Sequence, residues 1–252
     1  MVEFRNAAPA DIPRLRELWQ EAFGYSQAQI GLFFAHGFAP ERSLVLLQGD
    51  RILSALYWFD CRWKDRKMAY LYAVATWQAS RGRGLGTLLM QEAARRLREQ
   101  GYAAALLLPG SKSLYEYYKK LGYCVCTTIR EVQVKASAPG VLEQITPEEY
   151  AAARRRLLPE NAVHQEGANL AYMASQVRFY RGEGCVLAAA VSGGQVFCPE
   201  LLGVGDPSAV AGALGARVGL FRMPGPGRDF AMCLELQGPL PDKISYFGWA
   251  FD

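Results

Sequence analysis

The chain has few of the residues from which metal and thiol sites are built. Its 252 residues include only two histidines, His36 and His164, which excludes a histidine-rich metal site. The six cysteines form no C-x-x-C pair, and Cys124 and Cys126 do not have the spacing of zinc ligands. We therefore expect buried, reduced thiols and no metal site.

Long apolar runs are also missing. No segment reaches the roughly 18 to 20 apolar residues that cross a membrane. The first residues, MVEFRNAAPADIPRLREL, lack the basic region, apolar core and cleavage site of a signal peptide. These absences predict a cytoplasmic protein with no membrane partner. At 51% apolar residues, the chain can bury the core of one large domain or of two lobes.

The net charge of +4 is small but unevenly placed. Residues 1–138 carry 19 lysines and arginines against 12 acidic residues, whereas residues 139–252 carry 9 against 12. A basic first half favours an anionic ligand, and a small phosphorylated molecule fits this excess as well as nucleic acid does.

Hydrophobic periodicity predicts a strand and helix order of β-α-α-β-β-β-α-β-α-β in the first half, which is an α/β fold with a mixed sheet. Asp11 is expected to cap the first helix, and YCVCTTIREVQVK is expected to be one strand. The segment KASAPG reads as a linker, so we predict one domain over 1–136 and a smaller α+β lobe over 141–252. Helices are predicted at TPEEYAAARRRLLP and GANLAYMASQVRFYRGEG, then strands that include SYFGWAFD. This order echoes the first half, and we leave open whether the lobe is a degenerate repeat.

The segment ATWQASRGRGLGTLLMQEAARRLREQG places three glycines where a strand meets a helix. A Walker loop is excluded because Leu85 follows Gly84 where lysine is required. A dinucleotide fingerprint is excluded because Thr87 stands at its last glycine position. Unpaired N–H groups and the dipole of a helix N-terminus bind phosphate, and glycines let a pyrophosphate approach them. We therefore predict a phosphate site here.

The pattern Arg81-x-x-Gly84-x-Gly86 resembles the cofactor loop of the GNAT acyltransferase superfamily. The segment SKSLYEYYKKLGY resembles the family's N-x-x-A-x-x-x-Y-x-x-x-G-F segment in spacing, although Ser111 and Leu114 depart from its usual residues. The resemblance covers residues 1–135 well and the second half weakly. It implies a GNAT-like mixed sheet flanked by helices and acetyl-CoA as co-substrate. The implied cofactor-binding residues are Val74 and Thr76, through backbone groups, and Arg81, Gly82, Arg83, Gly84, Leu85, Gly86 and Thr87.

The resemblance also implies catalytic residues. Tyr118 occupies the place of the tyrosine that protonates the leaving thiolate, whereas Tyr115 and Tyr117 are expected on other faces of the helix. The strand MAYLYAVAT has no glutamate to act as the base, and His36 lies in no recognisable motif. Two-lobed relatives of the enhanced-intracellular-survival type use a terminal carboxylate, so Asp252 is a candidate base. A solvated terminus and a water relay are the alternatives.

These observations predict an enzyme that transfers an acetyl group from acetyl-CoA to a small primary amine. In the second lobe, no glycine motif follows the strand that contains Glu200. We therefore expect this lobe to shape the acceptor pocket rather than to bind cofactor. A protein or peptide N-acetyltransferase and a non-catalytic CoA-binding sensor are the alternatives. A nucleic-acid partner is not expected, because phosphate binding accounts for the basic charge. The oligomeric state, homo-oligomers included, is left open.

Overall fold

The computed structural model describes residues 2–251, which form two compact units. The first unit comprises the chain through Cys124 together with Met232–Pro241, and the second comprises Val125–Ala231 with the residues from Asp242 on. The boundary therefore lies about a strand's length before the predicted linker. A short segment near the C-terminal end of the chain also belongs to the first unit.

The first unit has the predicted element order. Its helices are α1 (Ile12–Phe23), α2 (Gln27–His36), α3 (Leu85–Glu99) and α4 (Lys112–Lys120). Its strands are β1 (Glu3–Arg5), β2 (Ser43–Gln48), β3 (Arg51–Trp63), β4 (Arg66–Thr76) and β5 (Ala104–Leu107). The short strand β6 (Cys124–Val125) lies at the boundary. The sheet order is β1-β2-β3-β4-β5-β14-β6, with β14 at Met232–Glu235.

This sheet is mixed, as predicted. β4 and β5 are parallel and joined through α3, and the other neighbouring pairs from β1 to β14 are antiparallel. α3 packs on the sheet because Leu85, Leu89, Ala93 and Leu97 recur every four residues and are all buried. The aromatic residues of β3 and β4 are buried as well: Tyr57, Trp58, Phe59, Trp63, Tyr70 and Tyr72.

The second unit contains seven strands and three helices among the described residues. The strands are β7 (Thr128–Lys135), β8 (Glu143–Ile145), β9 (His164–Gln165), β10 (Arg178–Gly182), β11 (Cys185–Ser192), β12 (Gln195–Gly203) and β13 (Val218–Asp229). The helices are α5 (Pro147–Leu157), α6 (Ala168–Ala174) and α7 (Pro207–Ala213). Its sheet order is β7-β13-β12-β11-β10-β8.

The second unit repeats the topology of the first. Both units have the same order of elements: a short strand, two helices, three antiparallel strands, a helix and a parallel strand. Within this order, the second unit has the added strand β9 between its first two helices. In both, the last parallel strand also pairs with an antiparallel strand from elsewhere in the chain. β7 pairs with β13 in the second unit, and β14 pairs with β5 in the first. The echo seen in the sequence is thus a repeat of sheet topology.

Four local predictions were wrong in whole or in part. The helix predicted over GANLAYMASQVRFYRGEG ends at Ala174, and its last part is the alternately buried strand β10. YCVCTTIREVQVK divides into β6 and β7. Asp11 is the N-cap residue of α1, as expected, but its carboxylate makes no capping bond to the helix and instead accepts hydrogen bonds from the Ala8 N–H and from Arg5. Cys124 is exposed, although Cys61, Cys185, Cys198 and Cys233 are buried free thiols as expected.

The prediction of a strand over SYFGWAFD was wrong: the described part, residues 245–251, forms only an isolated bridge between Tyr246 and Ala162. Residues 246–251 are nevertheless buried. The Val163 N–H donates to the Tyr246 carbonyl at 2.8 Å. The Gln165 side-chain amide donates to the Trp249 carbonyl and accepts from the Trp249 N–H, at 2.6 and 2.9 Å. Side-chain anchors therefore replace strand pairing.

A buried ion pair lies at the centre of the second unit. Glu200 on β12 is fully buried and accepts from the Arg154 guanidinium at 2.6 and 3.0 Å. The Tyr150 and Tyr246 hydroxyls donate to the same carboxylate at 2.6 and 3.1 Å. The Arg154 guanidinium also lies 4.3 Å from the Trp249 ring centroid. The four hydrogen bonds satisfy the carboxylate, which offsets the cost of burying it. Glu200 is thus a structural residue within its own unit.

Candidate active site

The glycine loop crosses from β4 to α3. Gly82 and Gly84 both have φ of +75°, and a Cβ added at either would meet nothing within 4 Å. For an L-residue this left-handed conformation costs about 1–2 kcal/mol. The turn into α3 therefore requires glycine at these positions, and the space around them is open.

The N-terminus of α3 has the features of an anion site. Gly84 is its N-cap residue and supplies no side-chain cap, and the first turn contains no acidic residue. The helix begins with the Leu88 N–H donating to the Gly84 carbonyl at 3.0 Å. The N–H groups of Leu85, Gly86 and Thr87 thus lack acceptors within the helix, and the dipole adds partial positive charge there.

These residues line a cleft of about 570 Å³, which we call the α3 cleft. Its walls come from α1, β4, the glycine loop, α3 and α4, and Arg81 is its one charged side chain among the described residues. Of the predicted site residues that the structure describes, all but Arg83 line this cleft; they are Val74, Thr76, Arg81, Gly82, Gly84, Leu85, Gly86, Thr87 and Tyr118. Arg83 is exposed, and Asp252 lies outside the described residues.

β4 separates from β5 at the cleft. The two strands pair only over Met68–Tyr70, opposite Ala104–Leu106. On the other side of β4, the register with β3 shifts, so that Ala73 and Val74 face a single residue, and Ala73 has φ of +51°. This β-bulge and the end of the β5 pairing leave the Val74–Thr76 backbone along the cleft free of a neighbouring strand on that side. Such an edge can pair with an extended ligand.

Arg81 is held against the end of β4. Its Nε donates to the Thr76 carbonyl at 3.0 Å, which leaves its two terminal nitrogens for an anion. The Thr76 hydroxyl lies 2.8 Å from the Ser54 hydroxyl, which also donates to the Ala75 carbonyl at 2.6 Å. Thus the Thr76 carbonyl, one of the predicted backbone contacts, already accepts a hydrogen bond from within the protein.

Tyr118 on α4 places a phenol in the same cleft. The residue is buried, and its hydroxyl has no hydrogen-bond partner among residues 2–251. Its ring packs 5.1 Å from that of Tyr117 and 5.8 Å from that of Tyr123. Burial, and secondarily the neighbouring Tyr117, raises the pKa of Tyr118. Tyr118 therefore stays protonated at neutral pH and can donate a proton.

The expectation that Tyr117 lies on another face of the helix was wrong. Leu114, Tyr117 and Tyr118 all line the α3 cleft. The three residues are spaced i, i+3 and i+4, which places them on one side of a helix. That spacing was readable from the sequence.

Neither a carboxylate nor an imidazole lines the α3 cleft among the described residues. His36 lies in the last turn of α2. The same part of the chain contains no cluster of three or more histidine, cysteine, aspartate or glutamate side chains that could hold a metal ion. It also contains no helix long and apolar enough to cross a membrane.

Comparisons with known proteins agree with this geometry. Residues 3–126 match the model of the acetyltransferase (GNAT) domain. A search of curated protein sequences finds no significant match to the chain. Among solved structures, a GCN5-related N-acetyltransferase from Kribbella flavida has a similar fold, with a TM-score of 0.72 and 17% identity over 94% of this chain and 71% of that one. Eis1 from Mycobacterium abscessus has a TM-score of 0.66 and 14% identity over 94% of this chain and 74% of that one.

Proposed function

We propose that this protein, whose residues 3–126 match the model of the acetyltransferase (GNAT) domain, transfers the acetyl group of acetyl-CoA to the primary amine of a small molecule. The domain is that of an acyltransferase, and acetyl-CoA is its co-substrate. The observation that carries the proposal is that one cleft brings together an uncapped helix N-terminus, a free strand edge and a protonated phenol.

The residues of the cleft fit acetyl-CoA in chemistry and in order. The first-turn N–H groups of α3 and the free nitrogens of Arg81 suit the pyrophosphate. The edge of β4 over Val74–Thr76, which no strand covers on the cleft side, suits the amides of the pantetheine arm, apart from the Thr76 carbonyl that Arg81 occupies. Arg83 is exposed beside the loop and suits the remaining phosphate. The bound co-substrate would then lie along β4 toward the Tyr118 phenol.

The transfer needs a proton donor and a proton acceptor. A neutral amine nitrogen attacks the thioester carbonyl carbon; the C–N bond forms, the C–S bond breaks, and the sulfur leaves with the electron pair. The Tyr118 hydroxyl donates its proton to that sulfur. General acid catalysis of this kind raises the rate about 10²- to 10⁴-fold. The amine nitrogen gives up a proton to a base.

We propose Asp252 as that base. Support comes from the lining of the α3 cleft, which contains no carboxylate or imidazole among residues 2–251, and from the anchoring of the segment before Asp252 by Gln165 and Glu200. Asp252→Asn tests the assignment: kcat should fall while acetyl-CoA affinity stays unchanged. Unchanged kcat favours a water relay.

The small-molecule acceptor is supported by the second unit. Between β12 and α7 it has the sequence VGDP instead of a glycine loop, and the Asp206 carboxylate accepts from the Ser208 N–H at the start of α7. This unit repeats the fold without the phosphate site, so we assign it to the acceptor. The free cysteines among residues 2–251 are consistent with a cytoplasmic location.

The function is tested by following thiol release from acetyl-CoA with a panel of small amines, in parallel with a peptide library. Turnover with small amines, abolished in Tyr118→Phe, supports the proposal. Turnover with peptides alone would identify a protein or peptide N-acetyltransferase. Tight binding of CoA without turnover of any amine would identify a CoA-binding sensor.

A further inference from the structure

Tyr117 places a second hydroxyl in the α3 cleft that the proton transfer does not use. This half-buried residue of α4 reaches the first turn of α3, where its hydroxyl oxygen lies 3.4 Å from the Thr87 Oγ1. Hydroxyl pairs that are well bonded lie about 2.7–2.8 Å apart. At 3.4 Å the contact is long, so both hydroxyls retain the capacity to donate to a third group.

The glycine at position 86 is related to the contact between the Tyr117 and Thr87 hydroxyls. Unlike Gly82 and Gly84, it does not have a left-handed φ, so its backbone conformation does not require glycine. A Cβ added at Gly86 would lie 3.3 Å from the Tyr117 hydroxyl and 3.6 Å from the Thr76 Oγ1. The first of these is tighter than an ordinary van der Waals contact. The bare position at Gly86 therefore makes room for the Tyr117 hydroxyl beside the N–H groups of the turn.

We propose that the Tyr117 hydroxyl is a phosphate-positioning group: together with the Thr87 hydroxyl it donates to the pyrophosphate of CoA at the N-terminus of α3. Two neighbouring tyrosines then have separate roles. Tyr117 holds the co-substrate at its phosphates, and Tyr118 supplies the proton at the thioester. The proposal concerns co-substrate binding and does not depend on which amine is the acceptor.

Calorimetric titration with three probes tests the assignment. Dephospho-CoA retains the pyrophosphate of CoA, whereas pantetheine has no phosphate. Loss of a hydrogen bond to a charged group weakens binding by about 10- to 100-fold. Tyr117→Phe should therefore weaken CoA and dephospho-CoA to this extent and by the same factor, and leave pantetheine affinity unchanged. Tyr115→Phe, on the same helix but outside the cleft lining, should bind all three probes as the wild type does.

The kinetic split separates the two tyrosines. At saturating acetyl-CoA, Tyr117→Phe should keep a kcat near that of the wild type with a raised KM for acetyl-CoA. Tyr118→Phe should lower kcat and leave the KM for acetyl-CoA near that of the wild type. Wild-type CoA affinity in Tyr117→Phe, or an equal loss of pantetheine affinity, would overturn the proposal and leave Tyr117 as a packing residue. If the wild type binds CoA but acetylates no amine, the proposed function fails. The binding measurements still decide whether Tyr117 positions the pyrophosphate.

A double-substitution cycle supplies an independent readout. Gly86→Ala introduces a methyl group that presses on the Tyr117 hydroxyl, so it should weaken CoA binding in the wild-type background. In the Tyr117→Phe background the hydroxyl is gone, and Gly86→Ala should cost less. Additive effects on CoA affinity would show that Gly86 and Tyr117 act separately and would contradict the coupling.

Discussion

Replacing Gly84 by glutamate should abolish the anion site at α3 without unfolding the protein. The side chain enters open space, since an added Cβ meets nothing within 4 Å. Its cost to the fold is the left-handed φ of +75°, worth about 1–2 kcal/mol. A carboxylate at a helix N-terminus recovers about 0.3–1 kcal/mol of this through the dipole.

The electrostatic effect on binding is larger. A carboxylate about 5 Å from one phosphate charge is repelled by about 1 kcal/mol in water and about 3 kcal/mol at an effective dielectric constant of 20. A pyrophosphate presents two such charges. The affinity for CoA should therefore fall at least about 30-fold. The assay is calorimetric titration of acetyl-CoA into wild type and variant.

Gly101→Glu is the matched control. Gly101 has φ of +77°, and an added Cβ there also meets nothing within 4 Å. It follows the other end of α3, about 22 Å away for a helix of this length. Gly101→Glu should bind acetyl-CoA like the wild type and yet be the less stable variant, because its carboxylate faces the negative end of the dipole. Equal CoA affinity in Gly84→Glu and wild type, or equal losses in both variants, would refute the anion site.

Three further predictions concern proton donation and stability. Tyr118→Phe should lower kcat by about 10²-fold or more. Because burial raises the pKa of Tyr118, the phenol stays protonated, and the kcat of the wild type should not fall through its ionisation up to about pH 10. Glu200→Gln leaves the buried Arg154 without its counter-charge and should reduce the free energy of unfolding by about 3–5 kcal/mol in urea titrations; a loss below about 1 kcal/mol would contradict the ion-pair assignment. Hydrogen bonds from Arg95 and Arg96 lower the pKa of Glu92 to about 2. The stability that Glu92 contributes is fully present above about pH 4.5 and is lost as the pH falls through about 2. Glu92→Gln should therefore cost at most about 1 kcal/mol at pH 7 and progressively less as the pH falls through about 2.

The local sequence was sufficient for the elements from β1 to α4 and for the glycine loop. Helices and strands such as α3 and β5 are determined by hydrophobic spacing between nearby residues, and the expected elements from β1 to α4 all form. The glycine loop is equally local, because a turn that needs left-handed φ values specifies glycine at its own positions. Every predicted binding residue there except Arg83 lines the α3 cleft.

Other features depend on partners distant in the chain. β7 was predicted as part of the first domain but pairs with β13, and the first unit completes its sheet with β14. β10 was predicted as helix, because SQVRFY has apolar spacing compatible with either structure; pairing with β8 and β11 decides for a strand. Which strands pair over such separations depends on the whole fold, so the pairing cannot be predicted from the residues of one strand alone.

By itself, then, the sequence determined the element order from β1 to α4, the glycine turn into α3 and the position of the phenol on α4, since each follows from the conformation of a few neighbouring residues. Only the tertiary structure decided which strands complete each sheet, that Tyr117 faces Thr87 across the cleft, and that Glu200 is neutralised by Arg154. These depend on residues brought together from 30 to about 130 positions apart, and their energies arise from burial, hydrogen bonding and charge pairing in the folded chain.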